Sequence, residues 1–425
     1  MYALGYSSSV IPHVGIPTLY ETNISPTSLS CYTRVKGATG RRRNIWVTVL
    51  CVEFGPQETL VSTSLALKRG LLVTALRTYL QLLPKAELHC HFVSTMRPET
   101  LLELCQAHGV PLRTLDLDQL FDYSGLADFL DVFNAAHLAL TTPEEISRIA
   151  YEGAQDAVSK ANLRYREYFV NPDNFVRGAF GRPGPAMDYP TVIDAMISGL
   201  SAAERDFGVG FGIVIGINRS LPAHAAVDLV RTVVEHPRKE VLGIGQDDLT
   251  PEKSEDPLRF AEAYRLARES GLRCTAHVGE TMEASPSDVV TAAIELRLDR
   301  IDHGYRVIDD PESLAAIKAT GLSFTCTPHS TVMLSGWELT PEHRIARMIR
   351  AGLPVTLATD DAVFFKTDLA REYVEALPAM GITEQEATEI ARRGFEVSWC
   401  PEQQRNRLLA DFDGAALALR HALLS

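Results

Sequence analysis

His89 and His91 lie one residue apart in the stretch 83–100, LPKAELHCHFVSTMRPET. If 86–92 is a β-strand, side chains i and i+2 leave the same face, so both imidazoles point one way and Cys90 the other. Two neutral imidazoles side by side are half of a divalent metal site. Taken alone, the pair reads as two polar residues at a strand end, and further ligands elsewhere must decide. Candidates stand at His277 in RCTAHVGE, ahead of Glu280, at His303 in RIDHGY, at His329 in TCTPHS, and at Asp360 and Asp361 in PVTLATDD.

These residue types divide into a metal set and a proton-transfer set. His89, His91, His277 and one aspartate offer three nitrogens and one oxygen, which suits zinc and leaves a position for water. Zinc lowers the pKa of such a water to about 7 and so provides a nucleophile near neutral pH. Glu280, just beyond His277, can reach a substrate atom adjacent to the attacked carbon, and a carboxyl shielded from water keeps a raised pKa and can donate a proton. Its plain alternative is a surface loop carboxylate. His303 is placed to orient the water or take its proton. Of the paired aspartates, the first can bind metal while the second accepts a hydrogen bond from substrate.

Bringing these residues together requires elements that end at one rim. From Lys85 onward, short apolar runs alternate with helical patterns. Runs at 86–92, 163–170, 211–218, 240–246, 273–278, 300–303, 323–327 and 354–359 read as strands without strict alternation, as when helices cover a parallel sheet. Between them, Phe129, Val132, Phe133, Ala136 and Leu140 mark one buried helical face. Thr142, Pro143 and Glu145 spell an N-cap, an N1 proline and the acid of a capping box. Phe260, Ala263, Tyr264 and Ala267 form another stripe, closed by Gly271. The alternation predicts an α/β fold, a (β/α)8 TIM-type barrel over 79–425 with extra helices at its mouth, where the first two strands are far apart in sequence. Its active site would lie at the C-terminal strand ends, where the candidate ligands fall. His13 lies before the barrel, while His108, His137, His224, His236, His343 and His421 fall in helices or loops and read as surface or packing residues. The fourth strand, VLGIGQDD, has no lysine to bridge a second ion, so one metal per chain is expected.

At 425 residues, 46% hydrophobic and 22% charged, the chain has the composition of a soluble globular protein. Its best apolar run, 70–83, is broken by Arg77, so no membrane span is expected. The net charge of −13 is uneven: residues 1–80 hold eight Lys and Arg against three Glu, leaving −18 on the remainder. An acidic body argues against nucleic-acid backbone binding and favours a small-molecule ligand. Seven scattered cysteines without a CxxC pair favour reduced thiols and a cytoplasmic setting. No secretory leader pattern opens the chain. Residues 1–78 read as an N-terminal extension, poorly ordered or a loosely attached hairpin around 44–54, with the basic run GRRRN either an interaction element or a solvated patch.

The motifs PKAELHCH, RPETLLEL, FLDVF, LRYREYFVNP, HVGE, IDHGY and TDD together resemble the adenosine and adenine deaminase family of the amidohydrolase superfamily, from about residue 83 to 400. The resemblance implies metal ligation by His89, His91, His277 and Asp360, proton shuttling by Glu280, a base or water-orienting role for His303, and a ring-nitrogen contact for Asp361. It implies hydrolytic deamination: Glu280 protonates a ring nitrogen, activated water adds at the amine-bearing carbon, and ammonia leaves. The other zinc deaminase design, with a PCxxC pair and an HxE, is absent from this sequence.

Three departures from the family pattern bear on substrate. Purine-acting members follow HxH with an acid and a glycine, and the acid contacts ribose in the nucleoside enzymes. Here Phe92, Val93 and Ser94 stand instead. After the fourth strand a family glycine meets the ring, where this chain runs Gly245, Gln246, Asp247, Asp248. The family's CPxSN becomes Thr327, Pro328, His329, Ser330, Thr331. The expectation is deaminase chemistry in an altered pocket, contacted by His91, Val93, Asp247, Asp248 and Asp361, for which unmodified adenosine is a poor substrate. Two rivals stand beside it: another mononuclear-zinc amidohydrolase acting on an amide or substituted ring, and a non-catalytic nucleoside-binding relative, which the full ligand set disfavours.

Overall fold

The computed structural model describes residues 27–36, 42–51, 73–124, 126–176, 186–248, 250, 252 and 254–424. The chain divides into two compact units, Met1–Gly70 and Leu71–Ser425. In the first, β1 (Thr27–Lys36) and β2 (Arg42–Cys51) pair antiparallel, with Thr27 opposite Cys51 and Lys36 opposite Arg42. The expected strand-prone run 44–54 overlaps β2. The poor order expected for 1–26, 37–41 and 52–72, together with His13 and the side chains of the GRRRN run, lies outside the described residues. The second unit opens ahead of the expected boundary at 79, with a helix over 73–82 that buries Tyr79 and Leu80.

The second unit is an α/β fold built on two parallel sheets. One runs in the order β3 (Lys85–His91), β4 (Leu163–Val170), β5 (Gly210–Asn218), β6 (Val241–Asp247), β7 (Arg273–Cys274). The other joins β8 (His277–Val278), β9 (Ile301–His303), β10 (Phe324–Cys326) and β11 (Val355–Leu357) in chain order. Every position of β5 except Phe211 is buried, which explains why such strands read as apolar runs rather than alternating ones. The expected strands are present with ends moved by a residue or two, except that 273–278 is interrupted. There Thr275 N donates to Ile244 O of β6 at 2.9 Å, while Ala276 O accepts from Asp302 N of β9 at 3.0 Å. The backbone changes partner at that point, so one strand serves both sheets. At the far edges, an isolated parallel bridge pairs Cys90 with Asp360, and His91 N donates to Asp360 O at 2.8 Å.

Local sequence explains the helices. Phe129, Val132, Phe133 and Ala136 of the stripe lie in Leu126–Ala139, with Leu140 just past its end, and Thr142 and Glu145 form the reciprocal capping box of Pro143–Ala161. The stripe from Phe260 lies on a short 3-10 turn and the helix Ala261–Glu269, after which Gly271 takes φ +83°. Between β3 and β4 come a 3-10 turn Val93–Thr95 and the helices Pro98–His108, Leu117–Leu120, Leu126–Ala139 and Pro143–Ala161, the expected additional elements. The helix Tyr189–Phe207 packs tightly on Pro143–Ala161, since a Cβ on Gly199 would come within 2.1 Å of Ser147 O. His137 and His343 are buried, while His224, His236 and His421 are exposed. No helix among the described residues is long and apolar enough to cross a membrane. Cys90, Cys105, Cys274, Cys326 and Cys400 are free and buried.

Candidate metal centre

His89 and His91 at the end of β3, His277 at the start of β8 and Asp360 after β11 turn inward together. Their ligand atoms lie within 4.8 Å of one another, a set able to hold a metal ion. His89 Nε2 and His91 Nε2 are each 3.2 Å from Asp360 Oδ1, and His91 Nε2 is 3.3 Å from His277 Nε2. His89 Nε2 is fully buried with no hydrogen-bond partner among the described residues, an arrangement that is costly unless a cation takes its lone pair. Asp360 has φ +63° and His303 φ +65°. Left-handed backbone at these non-glycine strand ends costs energy and turns each side chain away from the strand's own direction.

The charge field agrees with the donor chemistry. Burial resists protonation of His91, but the carboxylates of Asp361, Asp360 and Asp247 outweigh it and draw its pKa up to about 10. The same negative surroundings favour a metal cation. His277 is pushed down to about 4 by burial and by neighbouring His89, which keeps a lone pair free for ligation.

Each ligand is held from behind. His89 Nδ1 lies 3.0 Å from Thr325 Oγ1, and Ser330 Oγ donates to Asp360 Oδ2 at 2.6 Å. His91 Nδ1 faces Asp247 Oδ2 at 3.7 Å, and Asp247 accepts from Asn171 Nδ2 at 2.6 Å. The ring of Phe169 packs against His89, His91 and His277 at centroid distances of 5.1, 5.5 and 5.2 Å. Gly245 makes room for that ring, since a Cβ there would lie 2.6 Å from it. Phe169 and Asn171 fall within the motif LRYREYFVNP and Ser330 within the run 327–331, but nothing in their spacing assigned them these contacts.

Glu280 and His303 flank the metal set, with His303 Nε2 3.7 Å from Glu280 Oε2. Burial raises the Glu280 carboxyl to about 8, reinforced by the charges of Asp360 and Glu255. The buried Glu255 carboxylate accepts from the backbone N–H of Gly279, Glu280 and Thr281 at 2.5, 3.0 and 3.1 Å, which fixes the loop bearing Glu280. His303 is fully buried, which holds its pKa well below the ordinary value, and its Nδ1 meets Tyr305 OH at 3.3 Å. A neutral imidazole beside a protonated carboxyl can accept a proton while its neighbour donates one.

The remaining sequence-derived residues divide by environment. Asp361 is buried and accepts a hydrogen bond from Ser94 Oγ; burial and the Asp360 charge raise its pKa to about 7 against the pull of His91. Val93 is 2% exposed and packs in the hydrophobic core. Asp248 takes φ +64°, and its carbonyl accepts from Arg219 Nε. Arg219 also donates to Asp247 O at 3.1 Å and to His277 O at 2.8 Å, tying the ends of β6 and β8 together. His329 is turned away from the four ligands, its Nδ1 2.8 Å from Glu372.

A family profile described as adenosine deaminase matches residues 84–415. The adenine deaminase of Cupriavidus necator is 30% identical over 343 residues, covering 80% of this chain and 94% of its own length. Among solved structures, an amidohydrolase from Burkhoderia ambifaria with bound Zn superimposes with a TM-score of 0.74 at 30% identity, over 82% of this chain and 95% of that one. The adenine deaminase of Arthrobacter aurescens gives a TM-score of 0.70 at 25% identity, covering 78% and 98%.

Proposed function

The chain belongs to the adenosine deaminase family, hydrolytic aminohydrolases of the amidohydrolase superfamily, and from that premise we propose that it deaminates an aminated purine or a related N-heterocycle with one zinc ion per chain. The observation that carries this reading is the meeting of His89, His91, His277 and Asp360 beside Glu280 and His303. In the same reading the two sheets are parts of one (β/α)8 barrel, joined through 273–278 and closed at the Cys90–Asp360 bridge, with the site at the C-terminal strand ends.

Zinc, when bound, makes an activated water available near neutral pH. Glu280 donates its proton to a ring nitrogen, which makes the amine-bearing carbon electrophilic. His303 orients the incoming water and holds its proton. Asp361, steadied by Ser94, hydrogen-bonds a second ring position. His91 lines the same space from the metal side. The geometry favours orienting roles for Asp247, behind His91, and for the backbone of Asp248, on Arg219. Val93, buried in the hydrophobic core, contributes by packing rather than by touching the ring. With Phe92, Val93 and Ser94 in place of an acid-bearing segment, the polar contact to ribose is missing, and a free base or modified nucleoside fits this pocket better than adenosine.

The test is an ammonia-release screen of zinc-reconstituted protein over adenine, adenosine and its N-substituted derivatives, guanine and cytosine. Ammonia released with the matching oxo product from an aminated ring, a purine first, is the expected result. Silence across every aminated heterocycle in the screen would overturn the activity, and efficient, preferential conversion of adenosine would overturn the substrate assignment alone.

A further inference from the structure

Asp302 sits in β9 directly before His303 and is fully buried. Its Oδ1 accepts from Thr325 Oγ1 at 2.7 Å and its Oδ2 from Thr275 Oγ1 at 2.8 Å. An ionised carboxylate can only accept, so the Thr325 hydroxyl proton is committed to Asp302 and its oxygen must accept from elsewhere. The group facing that oxygen is His89 Nδ1 at 3.0 Å, which therefore carries the ring proton. On the other side, His277 Nδ1 faces Asp302 Oδ2 at 3.5 Å, without a hydrogen-bond partner among the described residues. The carboxylate charge draws a proton to that nitrogen too. With N–H at Nδ1, both rings present a lone pair at Nε2, the atoms that point into the metal set.

We propose that Asp302 is a positioning residue shared by two metal ligands, setting the tautomer of His89 through Thr325 and of His277 by direct contact. This rests on the metal reading above. Arg300 supports the role from outside the relay. Its Nη1 and Nη2 donate to Glu167 at 2.7 Å and Leu88 O at 3.0 Å, its plane lies 4.1 Å over Trp399, and its Nε stays 4.0 Å from Asp302 Oδ1. The guanidinium offsets the buried charge without occupying the lone pairs that the two threonines use. One carboxylate thereby serves two imidazoles on different strands, while His91 has Asp247 behind it.

The experiment compares wild type, Asp302→Asn and Thr325→Val as full chains. Zinc affinity is measured by competition with a chromophoric chelator, and ring protonation of the metal-free proteins by 15N-histidine correlation spectra. Wild type is expected to show His89 and His277 protonated at Nδ1. Asp302→Asn should weaken zinc binding about 10- to 100-fold, the usual effect of losing such a partner, and mix the tautomers of both rings. Thr325→Val should disturb His89 and leave His277 as it was. A folded Asp302→Asn that keeps its tautomers and binds zinc within about twofold of wild type overturns the inference. If Asp302→Asn does not fold, Thr325→Val decides: loss of the Nδ1–H state at His89 upholds the relay, and an unchanged ring overturns it. Wild type that binds no zinc would overturn the metal reading itself, a different outcome from equal binding by wild type and variant.

Discussion

A carboxyl group donates a proton at neutral pH only where its surroundings refuse its charge. Glu280 has that environment in the partial burial of its side chain, 22% exposed, and the nearby carboxylates of Asp360 and Glu255. Replacing Glu280 with Gln keeps the shape and removes the transferable proton. Turnover should fall about 10²- to 10⁴-fold in kcat while zinc content stays at the wild-type level, as checked by steady-state kinetics with metal analysis on the same sample. Undiminished kcat would remove Glu280 from the proposed mechanism. The residues with chemistry of their own were legible, because imidazoles and carboxylates at strand ends have few other uses. Those acting through a neighbour were not. Glu255 reads as one more acid in the loop SEDP, and only the fold aims it at the amides of residues 279–281. Asp247 was conspicuous for its position, yet what it faces depends on where β3 brings His91.

At the scale of elements, tight packing rather than propensity sets the tolerances. Gly199, on the helix Tyr189–Phe207, presses against the backbone of Pro143–Ala161, and a methyl group there would collide with Ser147 O and with Ala150 Cβ at 2.1 and 2.8 Å. Alanine is the better helix former, by roughly 1 kcal/mol, so propensity alone predicts stabilisation at this position. The collision reverses the sign: Gly199→Ala should destabilise by about 1–3 kcal/mol, seen as a lower urea midpoint with an unchanged slope. Helix starts were legible because a capping box is a contact within one turn, as Thr142 and Glu145 show. The interruption between β7 and β8 was not, since it arises where Thr275 and Ala276 exchange one neighbouring strand for another.

At the scale of the whole molecule, the end of the sheets opposite the metal set buries a lysine. Lys85 is fully enclosed, its Nζ donating to Leu83 O at 2.8 Å, Gln81 O at 3.1 Å and Ala161 O at 3.3 Å, and burial lowers its pKa from 10.5 to about 7. Across that window the unfolded chain holds a proton that the folded one releases, so this group's contribution to stability rises with pH and its cost is fully present below about 7. At 1.36 kcal/mol per pKa unit the change is at most roughly 5 kcal/mol. Wild type should therefore gain stability relative to Lys85→Met as pH rises from 7 towards 10.5, measured as urea midpoints of both proteins; parallel curves would contradict the assignment. By itself the sequence determined the strand and helix alternation, the ligand candidates and the acid that flanks them, because periodicity, capping and side-chain chemistry act over a few residues or within one side chain. Which carboxylate faces which imidazole, that Val93 belongs to the core, and that Asp302 stands between His89 and His277 were decided only by the tertiary structure, because those relations are distances between strands that the chain brings together only on folding.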